Sequence, residues 1–164
     1  MAAYTSEQDA IYMRLALAKA REGIERGQQP FGGCLVRHGT VLACLYNSVR
    51  ASGDITAHPE INAVREACRT LGTLDLSGCV MYATCEPCPM CFTAAHMARV
   101  DRIMYGVSLA EARQYGFGRF PVSNSVLKEL AHSPVEVIGG FLREESMALL
   151  RLWTEQHAAP GGRN

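Results

Sequence analysis

The sequence predicts an α/β domain: one sheet with helices on both faces. Three observations point there. Hydrophobic residues make up 48% and charged residues 20% of the 164 positions, a globular balance rather than a disordered one. A chain of this length buries roughly 70% of its unfolded surface and needs no disulfide staples to hold a core. Along the chain, short β-rich runs alternate with stretches of helical periodicity, the order of a layered α/β sheet. No repeat, linker or low-complexity stretch interrupts that order, so residues 1–164 read as a single domain.

Each element has a local justification. Ser6 to about Arg26 reads as a helix, with Ser6 as N-cap and Glu7 and Asp9 in the first turn, where the helix dipole favours acids. Ile11, Leu15 and Ala18 are expected on one face, with Met13, Leu17, Ala20 and Ile24 beside them, and Gly27 ends the helix. Gly33 to Arg37 and Val41 to Tyr46 read as two strands across the tight turn His38-Gly39. A loop from Ser48 to Thr56 leads into a second helix, about His58 to Leu71, closed by Gly72. Cys79 to Ala83 reads as a buried strand, Cys88 to about Ala98 as a helix and Arg102 to Gly106 as another strand. A short helix near Leu109 to Tyr115, an irregular run from Phe117 to Ser123 and a helical turn or two at Val126 to Ala131 follow. Val135 to Ile138 is the last strand and Leu142 to about His157 the last helix, before a disordered tail from Ala158 to Asn164.

Sixteen Lys plus Arg balance sixteen Asp plus Glu, which argues against an electrostatically driven nucleic-acid binder. No apolar run reaches the ~18 residues of a membrane span, and the N-terminus lacks a basic-then-apolar leader. The expectation is a soluble, cytoplasmic protein with no membrane partner.

Seven cysteines require an account. An odd number in a chain without a leader makes a complete disulfide framework an unfavoured reading, and metal or catalytic use a favoured one. Cys34, Cys44, Cys68 and Cys79 lie singly in apolar stretches and read as small buried side chains. The other three share the window Cys85-Glu86-Pro87-Cys88-Pro89-Met90-Cys91. Cys88 and Cys91 stand three apart at the start of a helix, so both sulfurs face one side. Pro89 suits the first helical position, where a missing N–H costs nothing. Thiolates at this spacing suggest zinc.

Two cysteines leave a tetrahedral site half filled. The other candidate ligand is His58 in Thr56-Ala57-His58-Pro59-Glu60, again a ligand followed by a proline that opens a helix. One His and two Cys form a three-ligand site with an open fourth position, the arrangement of catalytic rather than structural zinc. Glu60, two residues beyond His58, is placed to move protons on a water whose pKa zinc lowers to about 7. Cys85 as a fourth, structural ligand is the less favoured reading; it is taken as a lining residue. A lone C-x-x-C is often a redox pair and a lone His an ordinary hydrogen-bonded side chain, but H-x-E followed by P-C-x-x-C after a strand is far more specific than either half.

At these residues the sequence resembles the zinc-dependent cytidine deaminase-like superfamily. Within it the sequence is similar to guanine and guanosine deaminases, through Thr56-Ala57-His58-Pro59-Glu60, Ala63 to Cys68 and Cys85 to Cys91. The resemblance runs from Pro30-Phe31-Gly32 to about Phe117 and implies a three-layer α/β/α sandwich with a five-stranded mixed sheet. It implies zinc on His58, Cys88 and Cys91, Glu60 as proton shuttle, Asn47 as a hydrogen-bonding partner of the base, and Phe31 as a wall of the pocket. It also implies a homodimer, with C-terminal segments exchanged in some members. The substrate implied is a free nucleobase or related aminated heterocycle, guanine foremost, with cytosine or an aminotriazine as further options.

Two departures bear on specificity. Pro59 stands where the family usually has a residue whose backbone N–H donates to the substrate ring, and proline has no such donor. Phe117 is followed by Gly118-Arg119-Phe120, where guanine deaminases tend to carry acids, and a guanidinium accepts nothing. Glu86 has two readings, a carboxylate capping the neighbouring helix and an acceptor for a substrate N–H. Met90, Phe92, Met97 and Met104 read as core, and His96 as a satisfied helix residue. Glu144 and Glu145 read as a solvated face, and Trp153 with Leu150 as a dimer contact or a pocket closure. A tRNA adenosine deaminase is the second enzyme reading, disfavoured by only two lysines and a balanced charge. A non-catalytic, zinc-stabilised interaction protein is the third, and it leaves Glu60 without a purpose.

Overall fold

In the computed structural model, which describes residues 6–157, one mixed sheet runs through the molecule. Its strands are β1 (Gly32–Arg37), β2 (Thr40–Tyr46), β3 (Cys79–Cys85), β4 (Arg102–Val107) and β5 (Glu136–Ile138), in the order β2-β1-β3-β4-β5. β1 is antiparallel to both β2 and β3, whereas β3, β4 and β5 are parallel. The described helices are α1 (Ser6–Glu25), α2 (Val49–Ser52), α3 (Pro59–Leu71), α4 (Pro89–Met97), α5 (Leu109–Arg113), α6 (Asn124–Leu130) and α7 (Arg143–His157). None of them is long and apolar enough to cross a membrane.

Alternation along the strands builds the layers. Leu35, Met81 and Ile103 point to the face covered by α3 and α4, where they pack with Ala63, Ala67, Phe92 and Ala95. Their neighbours Cys34, Val36, Val80, Tyr82 and Met104 point to the other face, against Met13, Ala16, Leu17 and Ala20 of α1 and Leu149 of α7. Side chains of period two therefore divide one sheet between two helical layers, which is the expected α/β/α sandwich. A third cluster gathers at the C-terminal ends of β3 and β4: Cys85, Val107, Leu109, Ala112, Met147 and Leu150, with Phe31, Tyr115 and Phe117 packed on it.

Local signals act as the sequence predicts at most boundaries. His38 (φ 49°) and Gly39 (φ 80°) both take positive φ, the backbone of a two-residue hairpin turn. Gly72 ends α3 at φ 65°, its N–H on Cys68 O.

The departures are informative. α1 buries Asp9, Met13, Ala16, Leu17, Ala20 and Ile24, while Ile11 and Leu15 are exposed; the expected Ile11/Leu15/Ala18 face is the solvent side. Asp9 is buried because its Oδ1 accepts from Tyr82 Oη at 2.7 Å. The loop Ser48 to Thr56 contains the short helix α2. Met97 is exposed rather than core, unlike Phe92 and Met104. Cys34 and Cys44 are not separate thiols: they face each other across β1 and β2 and form a disulfide. Ser6 is the first helical residue of α1 rather than a residue ahead of it, and the tail Ala158–Asn164 lies outside the described residues.

Candidate active site

The two motifs fold alike because each places an extended residue before a helix-opening proline. His58 (φ −69°, ψ 151°) is the N-cap of α3 and Cys88 (φ −64°, ψ 167°) the N-cap of α4. A residue before proline is driven to extended backbone, and proline at the first helical position gives up no hydrogen bond. The His58 imidazole makes no capping bond to α3, and the Cys88 sulfur reaches Cys91 within α4. Both are turned to each other: His58 Nδ1 lies 3.6 Å from Cys88 Sγ and 3.5 Å from Cys91 Sγ, and the two sulfurs are 3.6 Å apart.

These lengths fit a zinc ion. Zinc–sulfur bonds of about 2.3 Å and zinc–nitrogen bonds of about 2.0 Å give tetrahedral edges of about 3.5–3.8 Å. The donor set of one imidazole and two sulfurs is zinc chemistry as well, and these three form the metal-capable group among the described residues. Cys85 stands outside it: it is buried in the third cluster, and burial pushes its thiol well up.

The three groups also shift one another's titration. The Cys91 thiol and then the His58 imidazole, acting against burial, hold the Cys88 thiol down at about 4. The same pairing pushes the Cys91 thiol up. His58 is raised by its bond to Cys88, again against burial. Glu60, the second residue of α3, is 5% exposed, and its Oε2 accepts from Cys91 Sγ at 3.2 Å. Burial pushes its carboxyl up to about 6, only partly offset by His58.

Around this centre, β1 runs against the start of α3. A Cβ on Gly33 would meet Pro59 Cβ at 3.4 Å and Glu60 N at 3.5 Å, so the strand passes beside the site at Gly33. Asn47 is buried, its N–H on Phe31 O at 2.9 Å and its Oδ1 on Val49 N at 3.2 Å, which leaves the amide NH2 as the donor end. Phe31 meets Phe117 edge-on with centroids 4.9 Å apart, and Phe117 meets Trp153 of α7 at 5.0 Å. His157 stacks on Trp153 at 4.3 Å, and the Arg50 guanidinium lies 5.8 Å over the same ring. Trp153 thus packs within its own chain, and Leu150 is buried in the third cluster. His96 is satisfied by Ser133 Oγ at 2.8 Å.

Glu86 corrects one expectation. It is buried, and its two oxygens are taken by backbone N–H groups: Oε2 accepts from Leu109 at 2.9 Å and Oε1 from Asn124 at 2.7 Å. The carboxylate is spent on the first residues of α5 and α6 rather than on the adjoining α4, so it caps helices, though not the neighbouring one the sequence suggests. Asn124 went unnoticed in the sequence. Fully buried, it donates from Nδ2 to Pro87 O at 2.6 Å, and nothing near it in the chain announces that.

Comparison with known proteins agrees with the geometry. The family described as the cytidine and deoxycytidylate deaminase zinc-binding region matches residues 6–107. The guanine deaminase of Bacillus subtilis is 39% identical over 107 residues, covering 65% of this chain and 69% of that protein. The tRNA-specific adenosine deaminase of the same organism is 34% identical over 143 residues, covering 87% and 86%. A solved structure of guanine deaminase from Nitrosomonas europaea aligns with a TM-score of 0.81 at 27% identity, covering 88% of this chain and 83% of that one. A His/Cys/Cys triad with zinc edge lengths, on this fold and within this sequence match, makes the chain a member of the cytidine and deoxycytidylate deaminase family, a zinc-dependent hydrolytic deaminase.

Proposed function

We propose that the chain deaminates a free nucleobase or a similar aminated heterocycle, guanine foremost, releasing ammonia, with His58, Cys88 and Cys91 as metal ligands and Glu60 as the proton-transferring group. The observation that carries the free-base reading is the aromatic series Phe31–Phe117–Trp153, which packs with Cys85 at the C-terminal ends of β3 and β4, the end from which the Cys88 turn leaves, and continues onto α7. Flat rings in series suit the faces of one small heterocycle. The balanced charge supplies no net attraction to a phosphate backbone.

Zinc on the triad supplies Lewis-acid activation of water at neutral pH. The chain's own residues do the rest. Glu60, buried beside the triad with its Oε2 on Cys91 Sγ, takes the proton of the attacking water and delivers it to the ring nitrogen beside the amine-bearing carbon. It then takes the proton of the newly added hydroxyl and passes it to the amino group, which leaves as ammonia as the C–N bond breaks and the carbonyl forms. Burial suits this work, since a carboxylate that ionises near neutrality gives and takes protons with little penalty. The Asn47 amide NH2 offers a donor to the base, and Phe31 with Phe117 offers a wall.

The second reading, tRNA adenosine deamination, is favoured by the longer match to the tRNA-specific relative. The deciding experiment measures ammonia release by zinc-loaded protein with guanine, cytosine, adenine, their nucleosides, an aminotriazine and an anticodon stem-loop, with Glu60→Gln as control. A free base as best substrate is the expected result. Turnover of the stem-loop with inert free bases overturns the proposal in favour of the tRNA reading.

A further inference from the structure

The two backbone groups that Glu86 binds are the two ends of one excursion. Leu109 opens it and Asn124 closes it, and both donate to the same buried carboxylate. Between them the segment 109–124 leaves the sheet layer, turns through Gly116 (φ 84°) and Gly118 (φ 69°), and carries Tyr115 and Phe117. Phe117 is the middle ring of the series between Phe31 and Trp153. A surface segment whose ends meet is fixed chiefly at those ends.

The same carboxylate belongs to the turn that carries a metal ligand. Glu86 N–H donates to Val107 O at 2.7 Å, which ties the exit of β3 to the end of β4. One residue on, Pro87 O accepts from Asn124 Nδ2 at 2.6 Å, and the next residue is Cys88. Three hydrogen bonds thus join the 86–88 turn to the two ends of the excursion, all between buried groups, where each counts for more than at the surface.

We infer that Glu86 is a positioning residue, a clasp that closes the 109–124 segment and fixes the Cys88 turn in the same act, so that metal retention and the placement of Phe117 depend on one carboxylate. Partners one step removed from a metal ligand typically change metal affinity or activity by about 10–100-fold when replaced. Glu86 acts through Cys88 on one side and through the segment on the other. Only its effect on substrate rests on the free-base reading; its effects on zinc and on the segment do not.

The test compares full-length Glu86→Gln with the wild-type protein. Glutamine keeps the shape but presents an NH2 to one of two N–H donors, so one end of the segment loses its partner. The expected result is a zinc dissociation constant raised about 10–100-fold in chelator competition. Faster amide exchange at residues 109 and 124 and a raised KM for guanine accompany it. Glu86→Asp, too short to span both donors, gives smaller changes in the same direction. Asn124→Ala weakens zinc while the Glu86 carboxylate stays in place. Zinc affinity within twofold of wild type in Glu86→Gln overturns the inference, even where exchange at 109 and 124 accelerates. If Glu86→Gln does not fold, Glu86→Asp and Asn124→Ala decide, and wild-type zinc affinity in both overturns it. Wild-type protein that turns over no free base faults the free-base reading and leaves the zinc and exchange results to judge the clasp.

Discussion

Glu60 Oε2 lies 3.2 Å from Cys91 Sγ, so a buried carboxylate touches the metal triad without belonging to it. Metal holding and proton transfer can therefore be separated by one substitution. Glu60→Gln removes the proton acceptor and keeps the volume. It is expected to retain zinc at the wild-type stoichiometry and to lose about 10²–10⁴-fold in turnover, the usual worth of general acid–base catalysis. Metal content by elemental analysis and ammonia release decide the point together, and a zinc-replete variant with near-normal rates removes Glu60 from proton transfer.

His58→Ala has the opposite profile. It takes one of three donors spaced 3.5–3.6 Å apart and leaves two sulfurs. Metal and activity are expected to disappear together, while the far-ultraviolet spectrum keeps its α/β form because His58 caps α3 through its backbone alone. A His58→Ala protein that purifies with a full complement of zinc contradicts the ligand assignment.

The burial of Glu60 also fixes the sign of a pH effect in the zinc-free protein. Its carboxyl sits at about 6 against an ordinary 4.5, so between those values the folded chain binds more proton than the unfolded one. The contribution of Glu60 to stability therefore falls as pH rises from about 4.5 to about 6 and levels off above, by about 2 kcal/mol in total. Urea unfolding across that window, with Glu60→Gln as reference, isolates this contribution, since glutamine has no proton to lose. Parallel pH profiles for the two proteins mean that the carboxylate is solvated when the metal is gone.

The site was legible in the sequence where local rules write it. His58-Pro59 and Cys88-Pro89 each dictate an extended residue before a helix, and those two N-caps bring the triad together. Glu86 was not legible in that way, because its partners stand 23 and 38 residues further on. The face of α1 was misread for a similar reason: Asp9 is buried by a hydroxyl 73 residues away. The Cys34–Cys44 pair shows how small a local event suffices. An undisturbed hairpin turning at His38-Gly39 would set Cys34 opposite Ala43, but an irregularity between Leu35 and Val36 shifts the register by one and brings Cys44 across.

Small residues, not large ones, set the contact of α1 with the sheet, and Gly32 tests this. A Cβ there would lie 2.1 Å from Ala16 O and 2.7 Å from Ala20 N, both backbone atoms of α1. Gly32→Ala must push the helix from β1 and is expected to cost about 1–3 kcal/mol or more, as overpacking does. Thermal unfolding checks it. An unchanged midpoint means that α1 stands farther from the sheet than this contact requires.

Pro59 offers the sharpest question about substrate. It is buried at the first position of α3, directly between the ligand His58 and Glu60, and it is the one place there without an N–H. The family resemblance assigns that N–H to the substrate ring, so a guanine-like base bound in the same pose leaves one acceptor unpaired, at a cost of about 1–3 kcal/mol. Pro59→Ala restores the donor without disturbing the helix, since the first position needs no intrahelical bond. Zinc content should stay at wild type, and KM for guanine should fall by about 5–150-fold, the range that the same energy sets. An unchanged KM with intact zinc means that the natural substrate presents no acceptor at that edge. The preferred ring is then a different aminated heterocycle processed by the same Glu60 and the same triad.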